Sequence, residues 1–144
     1  MATAITFVGL GGFLALLAAG LAGVPRMYRK RPYLEPAAHE PGVIWFPKYR
    51  LPLAAVPPES EVKTRMAALG FIRSDAGEDG GGLHFTRGSP WGDFSIRRAR
   101  MDVTVQGQPG GSGELFVEAG WFILFDTGDT WQLTRKIAES LQAA

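Results

Sequence analysis

The chain has 144 residues, a formal net charge of +1, 46% hydrophobic residues and no cysteine. These figures exclude disulfides, thiolate metal sites and cysteine nucleophiles, and they carry no nucleic-acid signature. His39 and His84 are the only histidines, so a histidine-based metal centre is not expected.

Residues 2–24 contain no charged side chain, and their only hydroxyls are Thr3 and Thr6. As a helix this stretch is roughly 34 Å long, enough to cross a hydrocarbon core of about 30 Å. Pro25 follows, then Arg26, Arg29, Lys30 and Arg31. A signal peptide places its basic residues before a short apolar core, whereas here they come after it. The pattern predicts a retained single-pass transmembrane helix over 1–25, with the N-terminus outside and the C-terminal domain cytoplasmic. Gly11, Ala15, Ala18 and Ala22 form a stripe of small residues beside the bulkier Phe7, Leu10, Leu14, Leu17 and Leu21. Small residues let a second helix approach closely, so this stripe is the expected helix-packing face. The segment holds no ionisable side chain to ligate a cofactor or relay a proton, and it reads as an anchor.

Residues 26–57 read as a basic, proline-rich extended arm. Eight of the ten prolines fall between Pro25 and Pro58, which disfavours a long helix or a central strand. Residues 25–57 hold six Lys or Arg against two Glu, whereas 58–144 hold nine against twelve acidic residues. A basic collar therefore precedes a mildly acidic domain. Tyr33, Trp45, Phe46 and Tyr49 are unusual in a spacer. With Arg26, Arg29, Lys30 and Arg31 they are expected to contact a partner or the membrane interface.

Residues 58–144 read as a small α+β domain of order α-β-β-β-α, an antiparallel sheet covered by two helices. The stretch PPESEVKTRMAALG is a helix with Val62, Met66 and Leu69 on one face and Gly70 as its stop. Phe71–Arg73 is a candidate short extra strand. GLHFTRG and DFSIRRARMDVTV alternate as strands, the second with a change of phase near Arg97–Arg100 that suggests a bulge. QGQPGGSG is a hairpin loop, ELFVEAGWFILF a third, central strand, and TWQLTRKIAESLQ a closing helix with Leu133, Ile137 and Leu141 at four-residue spacing.

Between that strand and helix lies Asp126-Thr127-Gly128. The triplet resembles the catalytic loop of aspartic proteases, where a hydrophobic strand delivers it to a carboxylate pair sharing one proton. That resemblance implies a flap and supporting elements after the triplet, but the sixteen residues after Gly128 read as one helix. The expected role is structural. Asp129 would cap the helix with Gln132 completing a capping-box pattern, Gly128 would make the turn, and Asp126 and Thr127 would brace it.

Arg87, Arg97, Arg98 and Arg100 lie on two strands expected to be neighbours, and form a candidate anion contact or a solvated face paired with acidic residues. No catalytic, metal or cofactor residue is expected. The layout resembles small anchored subunits of respiratory and photosynthetic assemblies. It implies a non-catalytic accessory subunit whose partners are other transmembrane subunits and membrane lipid. The alternative is a stand-alone membrane-surface module that binds anionic lipid through its basic residues.

Overall fold

A computed structural model of the chain describes residues 15, 18–20, 22–35, 42–74, 81–88, 100–120 and 125–143. It divides into two units, Met1–Arg31 and Pro32–Ala144.

In the first unit the described residues 15, 18–20 and 22–30 are helical; residues 22–30 are termed α1. The helix runs through Pro25 to Lys30, so the first residues of the expected extended arm are helical instead. Proline lacks a backbone donor, but Arg, Met and Lys on its C-terminal side are good helix formers. Among the described residues no helix is long and apolar enough to cross a membrane. Gly11 and most of residues 1–21 lie outside the described residues.

The second unit contains β1 (Ile44–Trp45), β2 (Lys48–Leu53), α2 (Glu59–Ala68), β3 (Ile72–Arg73), β4 (Leu83–Arg87), β5 (Met101–Gly107), β6 (Gly113–Ala119), β7 (Phe125–Asp126) and α3 (Asp129–Gln142). Five strands form an antiparallel sheet in the order β2-β6-β5-β4-β3, and β1 pairs with β7 in a separate two-stranded ribbon. The mixed α+β class and the antiparallel sheet agree with the sequence reading. Beyond the three expected strands the sheet takes in β3, the candidate strand at Phe71–Arg73, and β2, which the sequence reading left in the arm.

β2 lies within the expected arm, so the folded domain begins before residue 58. Its sequence KYRLPL alternates: Tyr49, Leu51 and Leu53 turn towards the helices, and Lys48, Arg50 and Pro52 away from them. Pro52 is compatible with this strand because β2 is an edge. ELFVEAGWFILF is likewise shorter as a strand than expected. β6 stops at Ala119, and Phe125–Asp126 pairs with β1. The expected bulge at Arg97–Arg100 falls almost wholly outside the described residues.

The core lies between the inner sheet face and the two helices. Met101, Val103 and Val105 of β5 and Leu115 and Val117 of β6 meet Val62 and Met66 of α2 and Ile137 and Leu141 of α3. Alternation along each strand puts every second residue on this face. Arg65 of α2 donates to the Ser140 carbonyl at 2.6 Å, tying the helices together. Gly113 is required by close approach. A Cβ there would lie 2.2 Å from the Gln106 carbonyl oxygen and 2.3 Å from a Val56 methyl.

Asp126 organises the turn into α3. Its side chain accepts from the backbone N–H of Gly128 at 3.1 Å, Thr130 at 3.0 Å and Trp131 at 3.2 Å, and from the Tyr49 hydroxyl at 2.8 Å. Asp126 is fully buried. The helix cap is Gly128, with φ of 111°, a left-handed conformation that favours glycine. Asp129 is the first helical residue and not the cap. It is exposed and receives a 3.4 Å contact from the Thr127 hydroxyl. The expected capping role therefore passes from Asp129 to Asp126, which reaches the free N–H groups from the preceding strand.

Asp126→Ala should cost on the order of 3 kcal/mol, because it leaves several buried donors without an acceptor. Asp129→Ala should cost less than about 1 kcal/mol, the scale of a surface charge at a helix start. Thermal melts of the two variants separate them. Burial, reinforced by the hydrogen bond to Asp126, raises the Tyr49 phenol well above its ordinary value. A raised folded-state pKa contributes stability that is complete below the unfolded value of about 10 and is lost as pH rises above it. The wild-type chain should lose stability above about pH 10, and Tyr49→Phe should remove part of that loss.

Candidate interaction surface

Residues 33–35 lie against the outer edge of β2. Leu34 bridges Tyr49 in parallel, its N–H donating to the Lys48 carbonyl at 2.8 Å and its carbonyl accepting from Arg50 N–H at 2.9 Å. Tyr33 then crosses onto the outer sheet face. Its hydroxyl donates to Glu118, its ring meets Phe116 edge-on at 5.0 Å, and the Lys48 ammonium lies 5.3 Å from the ring centre. Lys48 also pairs with Glu118 at 3.3 Å. The Tyr33 hydroxyl is held above its ordinary pKa by burial and by the hydrogen bond to Glu118. This clasp covers a sheet edge that would otherwise expose unpaired backbone groups.

The aromatic residues expected to face a partner therefore separate. Tyr49 is 1% exposed and belongs to the interior with Asp126, and Phe46 is 8% exposed. Both are corrected from outward contacts to buried residues. Their burial follows from the alternation of β2 and from the bend at Phe46, whose φ is 55°. Tyr33 spends its hydroxyl and part of its ring on its own sheet. Trp45 is 58% exposed, and Val43, which the sequence reading did not select, is 65% exposed. Both belong to the segment held by β1–β7 pairing, with Ile44 opposite Asp126 and Trp45 opposite Phe125.

In the first unit Arg26, Arg29, Lys30 and Arg31 are all exposed, as are the helical Ala15, Ala18 and Ala22.

The arginine cluster is not assembled among the described residues. Arg87 turns to the helix side of the sheet, where it donates to the Leu69 carbonyl at 3.2 Å, lies 4.8 Å from the Phe71 ring centre and touches the Met101 sulfur at 3.8 Å. Burial lowers its pKa. Arg100 pairs with Asp102 at 3.1 Å; Asp102 alternates with the core residues Met101 and Val103 and so lies on the outer face. The two side chains serve opposite faces of the sheet and do not converge on one anion. Arg97 and Arg98 lie outside the described residues. His84 bonds Thr104 through Nδ1 at 2.9 Å, a cross-strand contact within the sheet.

Two features were missed from sequence: the Tyr33 clasp and the Tyr49–Asp126 bond. The polar–apolar alternation of KYRLPL was the available signal for β2, masked by its prolines. Nothing in the sequence signals that Tyr33 meets Glu118, 85 positions away.

No protein-family model, curated protein or solved structure matches this chain.

Tyr33→Ala should lower stability by about 1–2 kcal/mol, through loss of its aromatic and cation–π contacts. Trp45→Ala should change it by less than about 1 kcal/mol, as for other exposed positions. Melts of the two variants under one set of conditions test this contrast.

Proposed function

We propose that the chain is a non-catalytic accessory subunit of a multi-subunit membrane complex of respiratory or photosynthetic type. One N-terminal helix anchors it, with the N-terminus outside, and the α+β domain braces the cytoplasmic face. The observation that carries this reading is the uncharged run of residues 2–24 followed at once by Arg26, Arg29, Lys30 and Arg31. Two features support an interaction role. The small-residue stripe of Gly11, Ala15, Ala18 and Ala22 suits a helix that packs on others. The folded unit presents Val43 and Trp45 outward from a braced ribbon, and tryptophan is enriched where interfaces gain most of their energy.

The second reading, a membrane-surface module for anionic lipid, draws on the four exposed cations Arg26, Arg29, Lys30 and Arg31. The separation of Arg87 from Arg100 weakens it. Its membrane binding would fall steeply with salt, whereas an anchored subunit would stay bound.

Removing the chain from its native membrane tests the accessory role. One membrane assembly should become scarcer or lighter while its activity per assembled complex persists. An unchanged set of assemblies, or complete loss of activity in a complex that still assembles, would contradict the proposal.

A further inference from the structure

We infer that Arg87 receives one carboxylate carried by another molecule, either a small organic acid or an acidic side chain of a protein neighbour. The site lies wholly within the unit Pro32–Ala144, so it does not depend on the proposed anchor.

Arg87 is a cation without a counter-charge. Among the described residues of this unit, Arg50, Arg65, Arg73, Arg100 and Arg135 each pair with a carboxylate. Arg87 instead donates to the Leu69 carbonyl and to the Met101 sulfur, and its Nε is buried without an acceptor. The side chain is half-buried, and burial lowers its pKa. An exposed guanidinium is hydrated and can stay unpaired, whereas a buried one is costly until an opposite charge meets it.

The surroundings supply only part of that charge. Leu69 is the C-cap of α2, where the helix dipole is equivalent to roughly half a negative charge. The Phe71 ring, with its centre 4.8 Å from the guanidinium carbon, attracts the cation but carries no charge. These contacts hold the guanidinium in one orientation and leave its charge incompletely balanced. Arg87 is the last residue of β4 and Gly88 after it is exposed, so an incoming group meets Arg87 at the end of the strand.

The charge count selects the anion. Leu69, Phe71 and Met101 contribute no second cation, and Arg100 serves the outer face with Asp102. One carboxylate balances one guanidinium and matches its planar fork of donors. A phosphate dianion would leave excess negative charge beside the Leu69 carbonyl.

The test follows the arginine side-chain N–H resonances of the full-length chain, made with isotope-labelled arginine. Sodium acetate, an end-blocked peptide with one aspartate, or sodium phosphate replaces sodium chloride at constant pH and ionic strength. Loss of one signal in Arg87→Lys identifies the Arg87 resonance; should that variant not fold, the Overhauser contact between Arg87 and the Phe71 ring identifies it in the natural chain. The expected result is a saturable shift of the Arg87 signal with acetate and with the peptide, a smaller one with phosphate, and unmoved signals from Arg50, Arg73 and Arg135. Tighter binding of the peptide would assign the carboxylate to a protein neighbour, and binding of acetate at least as tight would assign it to a small acid. An Arg87 signal that does not move would overturn the inference and leave Arg87 as a cap of α2 alone. Equal shifts at every arginine, or a stronger response to phosphate than to either carboxylate, would also overturn it.

Discussion

The organisation of this domain depends on one buried carboxylate. Asp126 takes three backbone N–H groups at the start of α3 and the hydroxyl of Tyr49 on β2. It thereby joins the last strand, the last helix and the first edge strand, which are far apart in sequence. Buried donors are costly when unpaired, and a helix start concentrates several of them. A single side chain satisfies them here and, through β7, also positions β1. The outward placement of Val43 and Trp45 follows from that arrangement, because β7 is the strand with which β1 pairs.

The same carboxylate gives the Asp-Thr-Gly triplet a structural role. A strand that ends in aspartate, followed by a glycine able to adopt φ of 111°, is what a sharp strand-to-helix turn requires. Asp126 is surrounded by donors from its own turn and from Tyr49. Among the described residues no second carboxylate takes part in that hydrogen-bond set, and both oxygens of Asp126 are engaged.

The elements that could be read from sequence are those with clean periodicity. α2, α3, β4, β5 and the hairpin before β6 follow from three-to-four-residue or two-residue spacing and from glycine stops. Position in the sheet was harder. β2 was hidden by Pro47 and Pro52, which argue against a strand unless that strand is an edge, and sequence does not reveal edges. Asp129 attracted the cap assignment because capping preferences are local, whereas Asp126 acts across a turn and with a residue 77 positions away. The arginine cluster failed for a register reason. With Arg87 opposite Met101, Arg87 shares the inner face and Arg100 takes the outer one. The aromatic arm was informative as composition, but its side chains divide between core, clasp and surface according to strand parity.

The accessory-subunit reading we propose joins two parts, an N-terminal anchor and an α+β domain. Such a layout suits a part that holds neighbours in register. The most direct measurement is the size and composition of what migrates with this chain after native membranes are dissolved in a mild detergent. The account predicts migration at a mass far above the chain's own 15.6 kDa, with a fixed set of membrane subunits in constant ratio. Migration alone, in a small micelle, would contradict it.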